Sequence, residues 1–511
     1  MKSNQNKSKS MGIVHIVGAG PGDPSLISIK GHNLLKTADI IFYDRLINTQ
    51  ILKICKKTAQ LIYVGKKPYE KPISQTKINK LLLTYAQNGN TVVRLKGGDP
   101  FLFGRGAEEA AYLAKNNVPY EVVPGITSAI AVPSYAGIPV TSRKLSSSVM
   151  IITGNEEKNK DQPINWKQIA CFDGTIVILM ANKNLDVIVK KLITHGYNPE
   201  TLSAITQSGS GPNQKTICGK LSEIVLLSKQ NDIRSPSVLT IGNVIKMREQ
   251  INWYEQKPLF GKNILVTRSP NQSAALSNFL QNEAANVIEI PTIEITPLSD
   301  NTTLDFALSH LNKYDWIVFS STNAVDSIFN RLNILEYDAR AFYNTKIAAI
   351  GSVTAEQLKK NGISQPDIIV TQSKGSSLIK KFETINIKNN TILIPEPNIG
   401  SSLDIKQIEQ YGAKVKTITA YNNKIPNQSK KKLIDTLEKG IDVITFTSRS
   451  TVRNFSIMLG KQLELINTCK IACLGPSTAE EVSKSGIYVD IIPEKHTAKN
   501  LVEEIIKYFN K

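Results

Sequence analysis

Three glycine-rich turns in the first quarter of the sequence combine residue types that could hold a small molecule. The first, Gly18-Ala-Gly-Pro-Gly-Asp23, directly follows an apolar segment. It differs from the GxGxxG turn of dinucleotide-binding proteins, because Asp23 stands at the third glycine position and Pro21 removes a backbone N–H that a pyrophosphate would need. Glycine at a strand end lets the backbone approach a ligand closely, although an ordinary tight turn would have the same composition.

The second and third turns add an acidic and an apolar component. In the segment 94–102, the pair Gly97-Gly98 exposes backbone groups, and Asp99 could bind a ribose hydroxyl or balance the charge of a sulfonium. Leu102 contributes to an apolar wall. The third turn, Val123-Pro-Gly-Ile-Thr-Ser128, has the same form. Because the carboxyl ends of parallel strands meet at one edge of a sheet, three such turns predict one small-molecule site.

Alternating strands and helices must position these turns. A helical pattern covers about 28–37, between the first two apolar strands, and the alternation continues to about residue 244. Such alternation predicts an α/β architecture with a mostly parallel sheet. The predicted strands of this half are 13–17, 40–43, 91–95, 120–123, 149–153, 175–180, 203–206 and 237–244.

The stretch 248–262 interrupts the alternation and predicts a domain boundary, after which a new strand opens at 264. The second half contains an internal repeat: DWIVFSSTNAV at 315–325 matches DVITFTSRSTV at 442–452, and similar pairs recur at an offset of about 125 residues. That period is too long for a solenoid. It predicts two similar α/β lobes with a ligand-binding cleft between them.

Size and composition restrict the class of protein. At 511 residues the chain is too long for one hydrophobic core, and 41% hydrophobic residues is typical of a soluble globular protein. No apolar run approaches the ~20 residues that span a bilayer. The basic segment 1–10 lacks the apolar stretch of a signal peptide and is expected to be a disordered tail, with Met11 as an alternative start. The five cysteines are scattered without a CxxC pair, which predicts a cytoplasmic location and no metal site.

The net charge of +19 leaves three classes of partner open: nucleic acid, an anionic membrane surface or a polyanionic small molecule. The basic residues are mostly Lys and are spread along the chain, without the dense block or the Arg–aromatic interleaving that nucleic acid favours. We therefore expect neither nucleic acid nor a membrane as partner, and most of the charge to belong to a solvated Lys-rich surface.

The motifs between about residues 12 and 254 together resemble uroporphyrinogen-III C-methyltransferase, a member of the tetrapyrrole methylase family. This resemblance implies two α/β subdomains, S-adenosyl-L-methionine bound between them as methyl donor, and a homodimer formed through this half. The segments that carry it are GAGPGDP at 18–24, YDRL at 43–46, VGK at 64–66, RLKGGDPFLFGRG at 94–106, VPGITS at 123–128, ILM at 178–180, QSG at 207–209 and SPSVLTIG at 235–242.

The same resemblance assigns functions to individual residues. Asp44 matches the proton acceptor proposed for the family, and Lys66 matches its proton donor. Asp44 could instead cap the following turn and pair with Arg45, and Lys66 could simply bind a substrate carboxylate. The residues expected to contact the methyl donor are Pro21, Gly97, Gly98, Asp99, Leu102, Thr127, Ser128, Met180 and Gly209.

The second half resembles uroporphyrinogen-III synthase, whose fold is two α/β lobes. The segments that carry this resemblance are LVTR at 265–268, FSSTNAV at 319–325, AIG at 349–351, AY at 420–421, FTS at 446–448 and LGPSTA at 474–479. The two resemblances together imply a methylase domain at 11–254, a linker at 255–261 and a synthase domain at 262–511. Within the synthase domain, 262–297 and 425–511 would form one lobe and 300–420 the other.

The synthase resemblance implies closure of hydroxymethylbilane to uroporphyrinogen III, with loss of water and inversion of the last pyrrole ring. Tyr421 matches the tyrosine that is thought to help the hydroxyl leave, although it could be a plain buried tyrosine. Hydroxyl groups at strand ends could bind the substrate's carboxylates or could cap the following helices. The candidate substrate-binding residues are Arg268, Ser320, Ser321, Thr322, Ser448, Arg449, Ser477 and Thr478.

The whole sequence therefore predicts a bifunctional enzyme that produces precorrin-2, the precursor of sirohaem and cobalamin. No strand–GxGxxG–helix unit for a subsequent oxidation is found. One alternative is a methylase of the same fold that acts on a corrin, diphthine or RNA, with a non-catalytic second half; the segment 94–106 weighs against it. The other is a basic RNA-binding protein with a degenerate methylase domain, against which the retained Asp44, Asp99 and Met180 argue.

Overall fold

The computed structural model describes residues 10–65, 73–156, 163–268, 270–370, 375–399 and 403–510. The chain forms two compact units. The first contains the described residues up to Lys262 together with Asn278–Asn286, and the second contains Asn263–Ser277 and Val287–Tyr508. Within these ranges, no helix has both the length and the apolar content that crossing a membrane requires. All but the last residue of the predicted tail, 1–10, lie outside the described residues.

The first sheet of the first unit is entirely parallel and covered on both faces. Its strands are β1 (Ile13–Gly18), β2 (Ile40–Tyr43), β3 (Gln60–Tyr63), β4 (Thr91–Lys96) and β5 (Tyr120–Val123), in the order β3-β2-β4-β1-β5. Val92 and Val93 point to opposite faces and belong to different apolar clusters, as expected for a buried parallel sheet. The helices of this part are α1 (Ile29–Thr37), α2 (Gln75–Gln87), α3 (Gly106–Lys115) and α4 (Ser128–Tyr135).

The second sheet of this unit corrects the prediction of mostly parallel strands. It contains β6 (Val149–Thr153), β7 (Thr175–Leu179), β8 (Leu202–Gln207), β9 (Lys215–Lys220) and β10 (Ser237–Ile241), in the order β6-β7-β10-β8-β9. Only β6 and β7 pair in parallel. The short connection between β8 and β9 has no room for a crossover helix, so this pair is antiparallel. The helices are α5 (Trp166–Ala170), α6 (Leu185–Thr194), α7 (Ile224–Gln230) and α8 (Arg248–Ile251).

The second half of the chain forms two further sheets. One contains β11 (Asn263–Val266), β12 (Asn286–Glu289), β19 (Val443–Phe446) and β20 (Lys470–Cys473), in the order β12-β11-β19-β20. The other contains β13 (Glu294–Thr296), β14 (Trp316–Phe319), β15 (Lys346–Ile350), β16 (Ile368–Val370), β17 (Thr391–Pro397) and β18 (Lys414–Lys424), in the order β13-β18-β17-β14-β15-β16.

Helices connect the strands of these sheets. They are α9 (Pro270–Asn282), α10 (Thr302–Leu308), α11 (Thr322–Ile334), α12 (Ser352–Lys360), α13 (Gly375–Thr384), α14 (Ile405–Gln410), α15 (Ser429–Leu437), α16 (Arg449–Leu459), α17 (Pro476–Lys484) and α18 (Ala498–Phe509). β13 pairs antiparallel with the end of β18, so the segment 294–296 belongs to the sheet of the 300–420 lobe and not to the 262–297 segment to which the sequence assigned it.

Candidate active sites

The loops after β1, β4 and β5 touch one another through their backbones. Gly20 and Gly98 form an antiparallel bridge, in which the Gly98 N–H donates to the Gly20 carbonyl oxygen over 2.7 Å. A Cβ on Gly125 would lie 2.3 Å from the carbonyl oxygen of Gly98, and a Cβ on Gly18 would lie 2.6 Å from the backbone nitrogen of Gly125. Side chains at these positions would separate the loops, so glycine is required for their close approach.

Asp99 fixes two of these loops in place. Its Oδ1 accepts hydrogen bonds from the N–H groups of Phe101 at 2.8 Å and Leu102 at 3.2 Å, and its Oδ2 accepts one from the Gly125 N–H at 3.0 Å. Both carboxylate oxygens are therefore engaged by the backbone. In the structure Asp99 holds the loops together, and the predicted contact with a ribose or a sulfonium stays a prediction.

The second sheet of this unit contributes its own loops to the same place. A Cβ on Gly22 would lie 3.1 Å from the carbonyl oxygen of Gly209 and 3.0 Å from Oγ of Ser210. Met180, Ser208 and Ser210 all have positive φ angles, of 57°, 48° and 59°. Left-handed backbone at non-glycine residues is uncommon and concentrates at functional sites. Met180 lies just beyond β7, outside the strand predicted for it, and 46% of its surface is exposed.

The remaining candidates for contact with the methyl donor lie beside these loops. Thr127 caps α4 by accepting a hydrogen bond from the Ala129 N–H at 3.2 Å, and Ser128 is the first residue of that helix. A Cβ on Gly98 would lie 3.8 Å from the Ser128 nitrogen. Leu102 packs against an apolar cluster that contains Ala129. The nine predicted residues thus come from loops at one edge, between the two sheets, namely Pro21, Gly97, Gly98, Asp99, Leu102, Thr127, Ser128, Met180 and Gly209.

Asp44, at the end of β2, lies at the same edge of the first sheet. Both of its carboxylate oxygens accept hydrogen bonds from Nη2 of Arg94 at 2.9 Å. The Arg94 side chain is 3% exposed, whereas that of Asp44 is 29% exposed, so one side of the carboxylate remains open to a ligand. The alternative interpretation paired Asp44 with Arg45, whereas the ion-pair partner in the structure is Arg94. Lys66, the predicted proton donor, lies outside the described residues.

Sequence reasoning missed a buried group of charges behind Asp44. Arg94 and Lys96 both donate hydrogen bonds to Oε1 of Glu109, each at 3.1 Å, and Glu109 is 0% exposed. Burial and the nearby Arg94 guanidinium lower the pKa of Lys96. A signal was available: two cations alternate along the otherwise apolar strand TVVRLK, and buried cations require carboxylate partners.

Two polar residues that support the first loop were also missed. Nδ2 of Asn48 donates to the carbonyl oxygen of Gly22 at 2.9 Å, and the Tyr135 hydroxyl donates to Oδ2 of Asp23 at 2.8 Å. The Tyr135 ring packs against Trp253 and Tyr254, with centroid distances of 5.0 and 4.8 Å. The aromatic residues that follow α8 therefore pack next to the glycine-rich loop of the same unit.

In the second unit, Tyr421 lies close to one group of predicted residues. Its hydroxyl lies 3.4 Å from Oγ of Ser321, which caps α11 by accepting a hydrogen bond from the Ala324 N–H. Ser320 and Thr322 flank Ser321 at the end of β14. Tyr421 is 5% exposed. The structure thus brings Tyr421 to the strand end that carries Ser320, Ser321 and Thr322.

A second group lies at the ends of β19 and β20. Ser448 caps α16, accepting a hydrogen bond from the Thr451 N–H, and Nε of Arg449 donates to the carbonyl oxygen of Ser477 at 3.2 Å. Thr478 is 4% exposed, so its hydroxyl is less available to a ligand. The observed hydrogen bonds of Ser321 and Ser448 are therefore those of helix caps, which was the alternative to binding substrate carboxylates.

Arg268 follows β11, the strand that pairs with β19. Burial lowers its pKa. Among the described residues, no group of three or more His, Cys, Asp and Glu side chains is placed to hold a metal ion.

Comparison with known proteins connects each half of the chain with one family. Residues 14–225 match the model of the tetrapyrrole (corrin/porphyrin) methylases, and residues 274–503 match that of uroporphyrinogen-III synthase HemD. The porphyrin biosynthesis protein HemD of Ruminiclostridium josui is 35% identical over 500 residues, which cover 97% of this chain and 98% of that protein. A uroporphyrinogen-III C-methyltransferase of Bacillus subtilis is 46% identical over 250 residues, which cover 48% of this chain and 96% of that protein.

Two solved structures are similar to parts of the chain. A uroporphyrin-III C-methyltransferase from Thermus thermophilus, complexed with S-adenyl homocysteine, is 34% identical and covers 46% of this chain and 94% of its own, with a TM-score of 0.40. A mutant uroporphyrinogen III synthase from Thermus thermophilus is 14% identical and covers 49% of this chain and 99% of its own, with a TM-score of 0.40.

Proposed function

Because this chain belongs to the family that joins a tetrapyrrole (corrin/porphyrin) methylase to a uroporphyrinogen-III synthase, we propose that it catalyses two consecutive steps of tetrapyrrole biosynthesis. Its second half closes hydroxymethylbilane to uroporphyrinogen III, with loss of water and inversion of the last ring. Its first half methylates uroporphyrinogen III twice to give precorrin-2. The observation that carries this proposal is the relative of matching length, aligned over 97% of this chain, together with one family match in each half.

The loops between the two sheets of the first unit fit S-adenosyl-L-methionine as methyl donor. When bound, it supplies a methyl group already activated by the sulfonium. Gly97 packs closely against Leu46, since a Cβ on Gly97 would lie 3.2 Å from Cβ of Leu46. The exposed side chain of Met180 provides a further apolar contact. The proposed donor-binding residues are Pro21, Gly97, Gly98, Asp99, Leu102, Thr127, Ser128, Met180 and Gly209.

The protein's own contribution to methylation is alignment and removal of a proton. Alignment of carbon and methyl group is a matter of positioning, which rigid loops at strand ends provide. As a pyrrole ring of the substrate becomes methylated, the macrocycle must also lose a proton. Asp44 is a partly exposed carboxylate held by Arg94 at this edge, and a positioned base typically contributes ~10²–10⁴-fold. We assign Asp44 as proton acceptor and Lys66 as proton donor.

Ring closure in the second half requires the hydroxyl of hydroxymethylbilane to leave as water. The Tyr421 hydroxyl, beside Ser321, is the proposed proton donor to this leaving group. Hydroxyl and guanidinium groups at the strand ends are proposed to bind the substrate's carboxylates. These residues are Arg268, Ser320, Ser321, Thr322, Ser448, Arg449, Ser477 and Thr478.

Several finer points belong to the same proposal. The methylase domain extends over 11–254 and the synthase domain over 262–511, and the first half forms a homodimer. The enzyme works in the cytoplasm on small-molecule tetrapyrroles, without a metal ion and without nucleic acid or membrane as partner. These points rest on the resemblances described above and on the scattered distribution of the basic residues.

A coupled assay tests the two activities together. The full chain is supplied with hydroxymethylbilane and S-adenosyl-L-methionine, and precorrin-2 is identified by absorbance and mass. Formation of uroporphyrinogen III without methylation would contradict the assignment of the first half. Formation of the type I isomer alone would contradict the assignment of the second. An Asp44→Asn variant should slow methylation of supplied uroporphyrinogen III and leave ring closure unchanged.

A further inference from the structure

Glu109 is a fully buried carboxylate next to the proposed active site of the methylase half. It lies on α3 and is 0% exposed. Three donors converge on its Oε1: Nε of Arg94 at 3.1 Å, Nζ of Lys96 at 3.1 Å and Nε2 of Gln75 at 3.0 Å. Its other oxygen, Oε2, is buried and has no hydrogen-bond partner among the described residues. A buried carboxylate is costly unless it is paired, and here two cations and one amide supply the pairing at a single oxygen.

Arg94 connects Glu109 to Asp44. Its Nε faces Glu109, while its Nη2 donates to both oxygens of Asp44 at 2.9 Å. Burial opposes the charge on Arg94, but the Glu109 and Asp44 carboxylates more than offset this effect, so that the pKa of Arg94 is raised. One guanidinium therefore serves as counter-ion to two carboxylates, of which only Asp44 is accessible to a ligand.

The four charges of this group balance one another: Arg94 and Lys96 are cations from β4, and Asp44 and Glu109 are anions from β2 and α3. Without the charge of Glu109, the Asp44 carboxylate would face two buried cations. Nearby cations disfavour protonation of a carboxylate, and such effects are strong where water is excluded. Asp44 would then be a weaker base.

We propose that Glu109 is a positioning residue for methylation, which holds Arg94 against Asp44 and, by sharing that cation, keeps the Asp44 carboxylate able to accept a proton. The Lys96 cation has the opposite effect, because it disfavours acceptance of a proton by Asp44. This inference rests on the proposed function of Asp44 as proton acceptor. Glu108, the next carboxylate on α3, is paired with Arg105 and is 53% exposed, so it does not belong to the buried group.

The test uses substitutions that change charge and preserve shape. In Glu109→Gln the remaining oxygen can still accept all three hydrogen bonds, and Lys96→Met removes the cation but keeps the length of the side chain. Methylation of supplied uroporphyrinogen III by the full chain is measured as kcat/KM against pH. We expect the acidic limb of the profile to move to lower pH in Glu109→Gln and to higher pH in Lys96→Met, by about one pH unit each.

At pH 7.5, Glu109→Gln should also reduce kcat/KM by about three- to tenfold, because a weaker base removes the proton more slowly. Glu109→Asp, which keeps the charge, should retain the acidic limb of the wild type. Affinity for S-adenosylhomocysteine, measured by calorimetry, should change less than about twofold in all three variants.

Glu255→Gln is the matched control, since Glu255 is another partly buried carboxylate of the same unit that is shared by Arg248, Gln214 and Thr216. Its acidic limb should not move. The proposal would be overturned if the acidic limbs of Glu109→Gln and Lys96→Met stayed in place or moved in the same direction. If Glu109→Gln fails to fold, the pH profiles of Lys96→Met and Glu109→Asp decide the question. Loss of precorrin-2 formation in the wild-type chain would instead contradict the proposed function itself.

Discussion

The hydroxyl groups of Tyr421 and Ser321 lie 3.4 Å apart, although the two residues are 100 positions apart in the chain. Burial raises the pKa of Tyr421; the hydrogen bond with Ser321 lowers it, and the Glu396 carboxylate raises it further. Because the net shift is upward, the phenol stays protonated throughout the neutral range. The Tyr421 hydroxyl therefore carries a proton that it can direct at a leaving hydroxyl group, while its raised pKa makes it a weaker acid than a free phenol.

Removing this hydroxyl gives the first prediction. Tyr421→Phe should lower kcat for formation of uroporphyrinogen III by on the order of tenfold or more, because the donor is lost while the ring still fills its place. Methylation of supplied uroporphyrinogen III should be unchanged. Chromatographic separation of the type I and type III isomers measures the first effect. Equal losses in both reactions would show that Tyr421 has only a structural function.

Substitution of Asp99 is expected to weaken binding of S-adenosylhomocysteine. In Asp99→Asn one of the two oxygens is replaced by an NH₂ group, which cannot accept the hydrogen bonds of the loops. A hydrogen bond to a charged group contributes about 1.5–3 kcal/mol, so the affinity for S-adenosylhomocysteine should fall by about tenfold or more. Calorimetric titration of the full chain measures this.

A matched control is available for Asp99. Asp300 also accepts hydrogen bonds from a nearby residue, through the N–H at 2.9 Å and the hydroxyl of Thr302, but it lies in the second half of the chain. Asp300→Asn should bind S-adenosylhomocysteine as the wild type does. Unaltered affinity in Asp99→Asn would show that the loops do not need this carboxylate to form the site.

The same aspartate arrangement joins two neighbouring strands in three of the four sheets. Asp39, Asp315 and Asp442 each precede a strand and accept, through Oδ2, a hydrogen bond from the first N–H of a neighbouring strand at 2.7–2.9 Å. The backbone N–H of each Asp also donates to the carbonyl oxygen of that same neighbouring residue at 2.9 Å. Each carboxylate therefore fixes the register at the start of two parallel strands.

For Asp39, the pH dependence of the stability that this arrangement contributes can be predicted. The hydrogen bond from Lys56 and then that from the Thr91 N–H lower the pKa of Asp39. A lowered pKa stabilises the folded state above the unfolded value of about 3.9, and this contribution is lost as the pH falls through the folded pKa. At pH 7, Asp39→Asn should therefore weaken protection of β2 and β4 from hydrogen exchange, by less than the ~1 kcal/mol of a typical hydrogen bond, because the Asp39 side chain is 42% exposed and its charge is screened by solvent.

Below the unfolded pKa of about 3.9 the difference between Asp39→Asn and the wild type should shrink, since the carboxylate is protonated first in the unfolded state and, at still lower pH, in the folded state. Hydrogen exchange of peptides from β2 and β4, followed by mass spectrometry at pH 7 and at pH 3.5, measures both effects. Peptides from β14 and β17, which are joined by Asp315, serve as the internal control. A difference that is the same at both pH values would contradict the ionic explanation.

The sequence predicted most strands of the first sheet, and the repeat correctly paired Asp315 with Asp442 and Ser321 with Ser448, because both pairs have the same local function in each lobe. β3 and β9 were missed: their patterns, QLIY and KTICGK, contain polar residues that only the edge position of these strands allows. The charged group of Arg94, Lys96 and Glu109 was also missed. It depends on contacts between β4 and α3 that no single motif contains.

For the whole molecule, the net charge of +19 acquires a functional explanation in the proposed substrates, since hydroxymethylbilane and uroporphyrinogen III each carry eight carboxylates. Positive potential accelerates the encounter with anionic ligands, and salt screens it. We predict that kcat/KM of the synthase reaction falls severalfold between low ionic strength and ~0.3 M salt, with kcat nearly unchanged. Steady-state kinetics over a salt series measures this, and a flat dependence would contradict it.

The pairing of β11 with β19 has a consequence for how the chain folds during synthesis. Asn263 and Asp442 join β11 and β19 across 179 positions of the chain, so this sheet cannot form until the polypeptide through β19 has left the ribosome. The sheets of β1–β5 and β6–β10 consist only of earlier residues, and domains made first generally fold first. A nascent chain that stalls before β19 would therefore carry a foldable methylase and an incomplete synthase, whose strand β11 still lacks its neighbour.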